Sequence, residues 1–186
     1  MLHDVSPYFK WNLIDQQIGN NLIEYEATPR AVTYFSEVCD RLTDYAYWFF
    51  LSTIWVSYSG HSDLQLWRKL FSSDRPKRRK SIMKPSEVKV FETLPYEITA
   101  YRAHREGETD WISYTLDWKI AVRFAQERGV NEITEYRLRK KYVLALFLSG
   151  NINVRFDEKK HSENVHPWWR TKYFDKDGTL IKEYGD

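Results

Sequence analysis

Apolar residues follow two different rhythms along this chain, and the change falls near residue 96. In the first part the spacing is three and four: Leu64, Trp67, Leu70 and Phe71 make one stripe, and a helix there ends before Ser72-Ser73-Asp74-Arg75-Pro76. Upstream, Tyr45 to Gly60 carries no charge and includes Trp48, Phe49, Phe50, Leu51, Ile54 and Trp55. A membrane-crossing helix needs about 20 apolar residues, so this stretch is too short. It reads as a helix buried on most of its circumference, with a partner-binding or membrane-surface face as the alternative. Its start is placed at Thr28-Pro29, a hydroxyl followed by a proline in the first helical position. Pro85-Ser86-Glu87 opens a further short helix through Phe91, which Pro95 closes.

Beyond residue 96 the period drops to two. Ile98 to Ala103 and Trp111 to Thr115 predict strands on either side of a polar loop containing Gly107. Leu116-Asp117 starts a helix whose stripe is Ile120, Ala121, Phe124 and Ala125, and Gly129 ends it. In Thr134 to Arg139, Tyr136 and Leu138 face one way and Glu135, Arg137 and Arg139 the other. Tyr142 to Leu148 is apolar throughout and predicts a central strand covered on both faces. Ile152, Val154 and Phe156 alternate with Asn151, Asn153, Arg155 and Asp157, and the tail around Asp175-Lys176-Asp177-Gly178 has the turn chemistry of a hairpin. The expected fold is α+β: residues 1–95 helical, residues 96–186 β-rich, the two together making one domain or one domain with a helical extension.

Composition adds little to the fold and more to the chemistry. Eight Trp, 13 Tyr and 10 Phe supply stacking surfaces as well as core, while the net charge of +2 is too balanced to mark a nucleic-acid binder. The local exception is Arg75, Lys77, Arg78, Arg79 and Lys80, in what reads as a linker; it is either a solvated loop or a phosphate contact. The lone Cys39 excludes an internal disulfide, and Met1 to Pro7 lacks the pattern of a secretory signal, so cytoplasmic residence is expected. No Gly-rich phosphate loop or dinucleotide fingerprint occurs, and the five histidines include no pair one helical turn apart, so no metal is expected. Asp175 and Asp177 lack the acidic partner that would complete a calcium loop.

One set of segments carries more. Leu94-Pro95 leading to Tyr101-Arg102, then Ile112-Ser113-Tyr114-Thr115-Leu116-Asp117, then Ala121 and Phe124-Ala125, then Val143-Leu144-Ala145 together resemble the ADP-ribosyltransferase superfamily, in particular its small phage and bacterial members. The resemblance covers roughly the C-terminal half. It implies a mixed β core of two small packed sheets with NAD, as substrate, bound between them. It also implies transfer of ADP-ribose to a macromolecule, as in toxins of that kind.

What the resemblance implies for single residues follows its motifs. Arg102 supplies a planar donor fork for phosphate or ribose oxygens, with a surface salt bridge as the plain alternative. Ser113 and Thr115 share a strand face, where one hydroxyl fixes Arg102 and the other supports the neighbouring strand. Tyr101, Ala103 and Phe124 join Arg102 and Ser113 around the nucleotide. Trp111 or Tyr114 either stacks on the nicotinamide or packs in the core. The glutamate usual on the last motif strand is replaced by Asn153, leaving Glu135 or Glu158 as substitutes and slow turnover as the expectation. Expected partners are NAD, an acceptor that is single-stranded nucleic acid or protein, and a neutralising partner protein for a toxic enzyme; no membrane is expected. A binding module that kept the fold and lost the chemistry is the alternative from another class.

Overall fold

The structure is a computed structural model that describes residues 4–57, 63–108, 113–147, 151–154, 169–174 and 177–184, with backbone alone at 151–154 and 169–170. Trp111, Arg155, Phe156, Asp157 and Glu158 lie outside these residues. The chain divides into two compact units, Met1–Glu92 and Thr93–Asp186.

The first unit holds α1 (Leu13–Glu24), α2 (Pro29–Val38), α3 (Asp44–Ser57), α4 (Leu64–Phe71), α5 (Arg78–Ile82) and α6 (Pro85–Thr93). The helix expected to run from Thr28 into the Tyr45 stretch is two helices, interrupted by a 3-10 turn at Cys39–Arg41. A remote carboxylate makes the break: Asp15 of α1 accepts the Thr43 N–H at 3.0 Å and the Thr43 hydroxyl at 2.6 Å. Thr43 Oγ1 in turn accepts the Ala46 N–H at 3.3 Å, satisfying one of the open donors of the new helix. Along α3, Trp48 and Leu51 are fully buried and Phe49 and Val56 stay exposed. Trp48 Nε1 donates to the Pro76 carbonyl at 3.1 Å, so the polar edge of the ring keeps a partner inside. No helix among the described residues is long and apolar enough to cross a membrane.

The second unit contains β1 (Glu97–Arg102), β2 (Ser113–Thr115), α7 (Trp118–Glu127), β3 (Glu132–Arg139), β4 (Val143–Phe147), β5 (Asn151–Val154), β6 (Trp169–Phe174) and β7 (Leu180–Tyr184). The protein is therefore α+β. Its strands form one antiparallel sheet in the order β4-β5-β2-β1-β3-β6-β7, where two packed sheets were expected. The join is β1, which pairs with β3 from Glu97↔Arg139 to Arg102↔Thr134 and with β2 at Tyr101↔Thr115. β4 is buried along its whole length yet stands at the end of the strand order, not at its centre. An apolar run reports that both faces are covered and is silent about hydrogen-bonded neighbours.

Asp117 caps α7 by accepting the Lys119 N–H at 2.8 Å, and the chain leaves the helix through Gly129 at φ +69°. Ala121, Val122 and Ala125 of α7 pack with Ala103, Ile133 and Phe174, placing the helix over one face of the sheet. Glu135, expected outward with Arg137, is buried instead, because Lys172 reaches across from β6 and donates to it at 2.6 Å.

Candidate functional site

Strand pairing brings the three motif strands side by side. β1 meets β2 at Tyr101↔Thr115, and β2 meets β5 at Ser113↔Asn153 and Thr115↔Asn151. Residues opposite one another share a face, so Tyr101, Ser113 and Thr115 lie on one side of the sheet and Arg102 and Tyr114 on the other. The ladder between β1 and β2 stops after that one pair. A further step would set Ala103 against Ser113, and arginines take both carbonyls instead: Arg102 Nη1 donates to Ser113 O at 2.6 Å and Arg128 Nη1 donates to Ala103 O. Arg102 thus bridges the place where the two strands part.

The rest of its guanidinium faces a carboxylate. Nη2 donates to Glu108 Oε1 at 2.6 Å and Nε to Glu108 Oε2 at 3.3 Å, a two-toothed pair with both side chains mostly buried. Gly107, at φ +71°, lets the loop reverse, and the Glu108 N–H closes the turn on Arg105 O at 3.0 Å. The same carboxylate meets His104 Nδ1 at 3.3 Å and accepts the Arg105 N–H at 3.4 Å. Burial works to raise the Glu108 carboxyl, but the His104 hydrogen bond and the Arg102 charge outweigh it and hold the pKa at about 2. An ionised carboxylate only accepts, so Nδ1 carries the ring proton and His104 Nε2, 2.7 Å from the Tyr136 hydroxyl, accepts from it in the neutral ring. Burial pushes the Tyr136 phenol up to about 12. Burial, followed by the charges of Arg102 and Arg105, lowers the pKa of Arg128. Of these arginines Arg102 pairs with the Glu108 carboxylate, while Arg128 turns to the Ala103 carbonyl.

The expected site residues divide. Arg102 and Ser113 meet, through the serine carbonyl and not the hydroxyl. Thr115 is buried and its hydroxyl accepts the Asp117 N–H at 3.2 Å, which serves the start of α7. Tyr114 is buried edge-on against Tyr136, so it packs and offers no open ring face; the nicotinamide-stacking role does not fit it. Tyr101 lies on the α7 side, edge-on to Trp118. Ala103 and Phe124 belong to the cluster under α7. Asn153 is opposite Ser113 in register. Glu135 is bound to Lys172, whose Nζ also lies 5.8 Å from the Tyr101 ring centre and 5.5 Å from that of Trp118.

Glu108, His104, Arg128 and Tyr136 were not singled out by sequence reasoning. The available signal was local: a charged run, His104-Arg105-Glu106-Gly107-Glu108, directly after a strand that ends in arginine, with a glycine to turn it back.

In the basic cluster of the first unit Lys77, Arg79 and Lys80 are exposed, as the solvated reading expected, Arg75 and Arg78 are half-buried, and α5 begins at Arg78 where a linker was expected. Arg75 donates to Leu42 O at 2.8 Å and Cys39 O at 3.0 Å, and its guanidinium lies 4.8 Å from the Tyr47 ring centre. Arg78 sits over Trp48, Arg79 over Phe91, and Lys80 donates to the Tyr8 hydroxyl at 2.9 Å. Comparison with protein-family models, with curated proteins and with solved structures found no match to this chain.

Proposed function

We propose that the protein is an NAD-dependent ADP-ribosyltransferase acting on a macromolecule, with an α+β catalytic unit of the kind its motifs resemble. The observation that supports this reading best is the adjacency of β1, β2 and β5, with Ser113 in register with Asn153 and Arg102 anchored where β1 and β2 part. Motif strands far apart in the chain lie side by side, with Ser113 and Asn153 on one face of the sheet and Arg102 on the other, joined to Ser113 through its backbone carbonyl. In the reaction the bond between C1′ of ribose and the nicotinamide nitrogen breaks, its electron pair leaving with nicotinamide. An acceptor nucleophile bonds to C1′ and gives up its proton. Arg102, backed by Arg105 and Arg128, would hold the pyrophosphate, since a planar guanidinium matches paired anionic oxygens. Asn153 can hydrogen-bond a ribose hydroxyl without charge. A carboxylate about 4 Å from the developing cation, at an effective dielectric near 20, contributes on the order of 4 kcal/mol, roughly a thousandfold in rate. Slow turnover is therefore expected. Protein and single-stranded nucleic acid are both acceptors within this reading, since Lys77, Arg79 and Lys80 of the basic cluster are exposed. Cytoplasmic action and a neutralising partner protein belong to the same reading.

The test is incubation with labelled NAD and protein, RNA and DNA acceptors, for the natural chain, Arg102→Ala and Asn153→Glu. Label transfer or nicotinamide release that rises strongly in Asn153→Glu, with NAD affinity lost in folded Arg102→Ala, is the expected result. Unchanged NAD affinity in Arg102→Ala would remove the reading. A second reading, a module that binds nucleotide or a partner without chemistry, is favoured by the occupation of Arg102 by Glu108. NAD binding with no release in any variant would decide for it.

A further inference from the structure

Arg102 is positioned to bind an anion and already holds one. All three guanidinium nitrogens donate, two of them to the Glu108 carboxylate and one to Ser113 O. Such two-toothed pairing is the geometry an arginine makes with a phosphate or carboxylate ligand. Arg128, which donates to Ala103 O, feels the charges of Arg102 and Arg105, offset by those of Glu108 and Glu127. A pyrophosphate carries more negative charge than the single Glu108 carboxylate and so competes for the Arg102 fork on charge as well as on geometry. Glu108 stands on the tight turn at Gly107 and reaches the fork through its own rotatable side chain.

We propose that Glu108 is an intramolecular stand-in for the ligand, a carboxylate that competes with pyrophosphate-containing substrates for the Arg102 fork and keeps the site closed until one displaces it. This rests on the reading of Arg102 as the pyrophosphate-binding residue. The ligand class that wins the exchange is a pyrophosphate or dianionic phosphate, since a free carboxylate offers no more charge than Glu108 itself. His104, which shares the Glu108 carboxylate, would keep its Tyr136 partner through the exchange.

The experiment is calorimetric titration of the full-length chain with inorganic pyrophosphate, and separately with NAD, for the natural protein, Glu108→Gln and Glu108→Asp. Each variant is first checked by thermal melting. Removing the charge, or shortening the side chain so that it cannot span the fork, should tighten pyrophosphate binding by about tenfold or more. Phenylglyoxal should also modify Arg102 faster in the variants, with pyrophosphate protecting it. Unchanged or weaker pyrophosphate affinity in a folded variant overturns the proposal, as does absence of pyrophosphate binding throughout. If pyrophosphate binds more tightly in the variants and NAD binds to none of them, the competition stands and the transferase reading falls. If NAD binds equally to all three chains, the transferase reading stands and the competition falls.

Discussion

At Glu108 three neighbours outweigh burial, and that balance has a pH signature. Its folded pKa, about 2, lies below its ordinary 4.5, so the native state prefers the ionised form. Stability from this preference is fully present above the unfolded pKa and is lost as pH falls from about 4.5 through 2. A shift of that size corresponds to about 3 kcal/mol at neutral pH. Glu108→Gln removes the titration, so the stability gap between natural protein and variant should be near that value at pH 7 and shrink steadily below pH 5. Urea denaturation across that range measures it, and a gap independent of pH would show that Glu108 is not held by charge. The role of Arg102 as an anion-binding group came from the motif resemblance, with a salt bridge as the plain alternative, and a salt bridge to Glu108 is what the structure holds. The sequence could not reveal that the anion is internal, since that depends on where the Gly107 turn sends the next side chain.

Between elements, the pair most exposed to testing is Glu135 with Lys172, a diagonal link from β3 to β6 lying beneath Trp118 of α7. Alternation alone placed Glu135 outward, and the register with β6 explains the error: Ile133↔Lys172 sets the lysine on the same face, close enough to enclose the carboxylate. Glu135 is thereby committed to joining strands, which counts against it as the substitute carboxylate of the proposed transferase. Glu135→Gln should cost about 3 kcal/mol, because it leaves a mostly buried ammonium without its counter-charge. The double variant Glu135→Leu with Lys172→Met should recover most of that loss. Denaturation of the two variants measures both, and nicotinamide release should be unchanged in Glu135→Gln wherever the protein stays folded. The α2–α3 break escaped notice for a similar reason. Apolar spacing continues across Thr43, and the carboxylate that caps the second helix lies 28 residues earlier, at Asp15. Where a pattern is local, as in α4, α7 and the β6–β7 hairpin, the sequence was sufficient; where one side chain from another element decides, it was not.

Over the whole molecule the charge distribution argues against long-range attraction to nucleic acid. The net charge is +2, and the densest run of cations is engaged with the first unit's own rings and carbonyls. Arg75 shows what that engagement does. It donates to the carbonyls of Leu42 and Cys39 where α2 gives way to α3, the Cys39 carbonyl also accepting the Leu42 N–H, and covers the Tyr47 ring. Charge-assisted hydrogen bonds contribute about 1.5 to 3 kcal/mol each and a cation over a ring about 1, so with two such bonds and one ring contact Arg75→Ala should destabilise the protein by about 4 kcal/mol. The remaining four residues, Lys77, Arg78, Arg79 and Lys80, offer the sharper contrast. If they formed a phosphate-binding patch, replacing all four with serine would lower the salt slope of single-stranded RNA binding by about 3, at about 0.7 per phosphate contact. With Arg78, Arg79 and Lys80 holding Trp48, Phe91 and Tyr8 instead, the replacement should change that slope by less than about 1 and lower the melting temperature. Fluorescence anisotropy over a salt series, run beside thermal melts, separates the two. A large fall in slope with an unchanged melt would make the cluster a nucleic-acid contact and favour RNA as the acceptor of the proposed transferase.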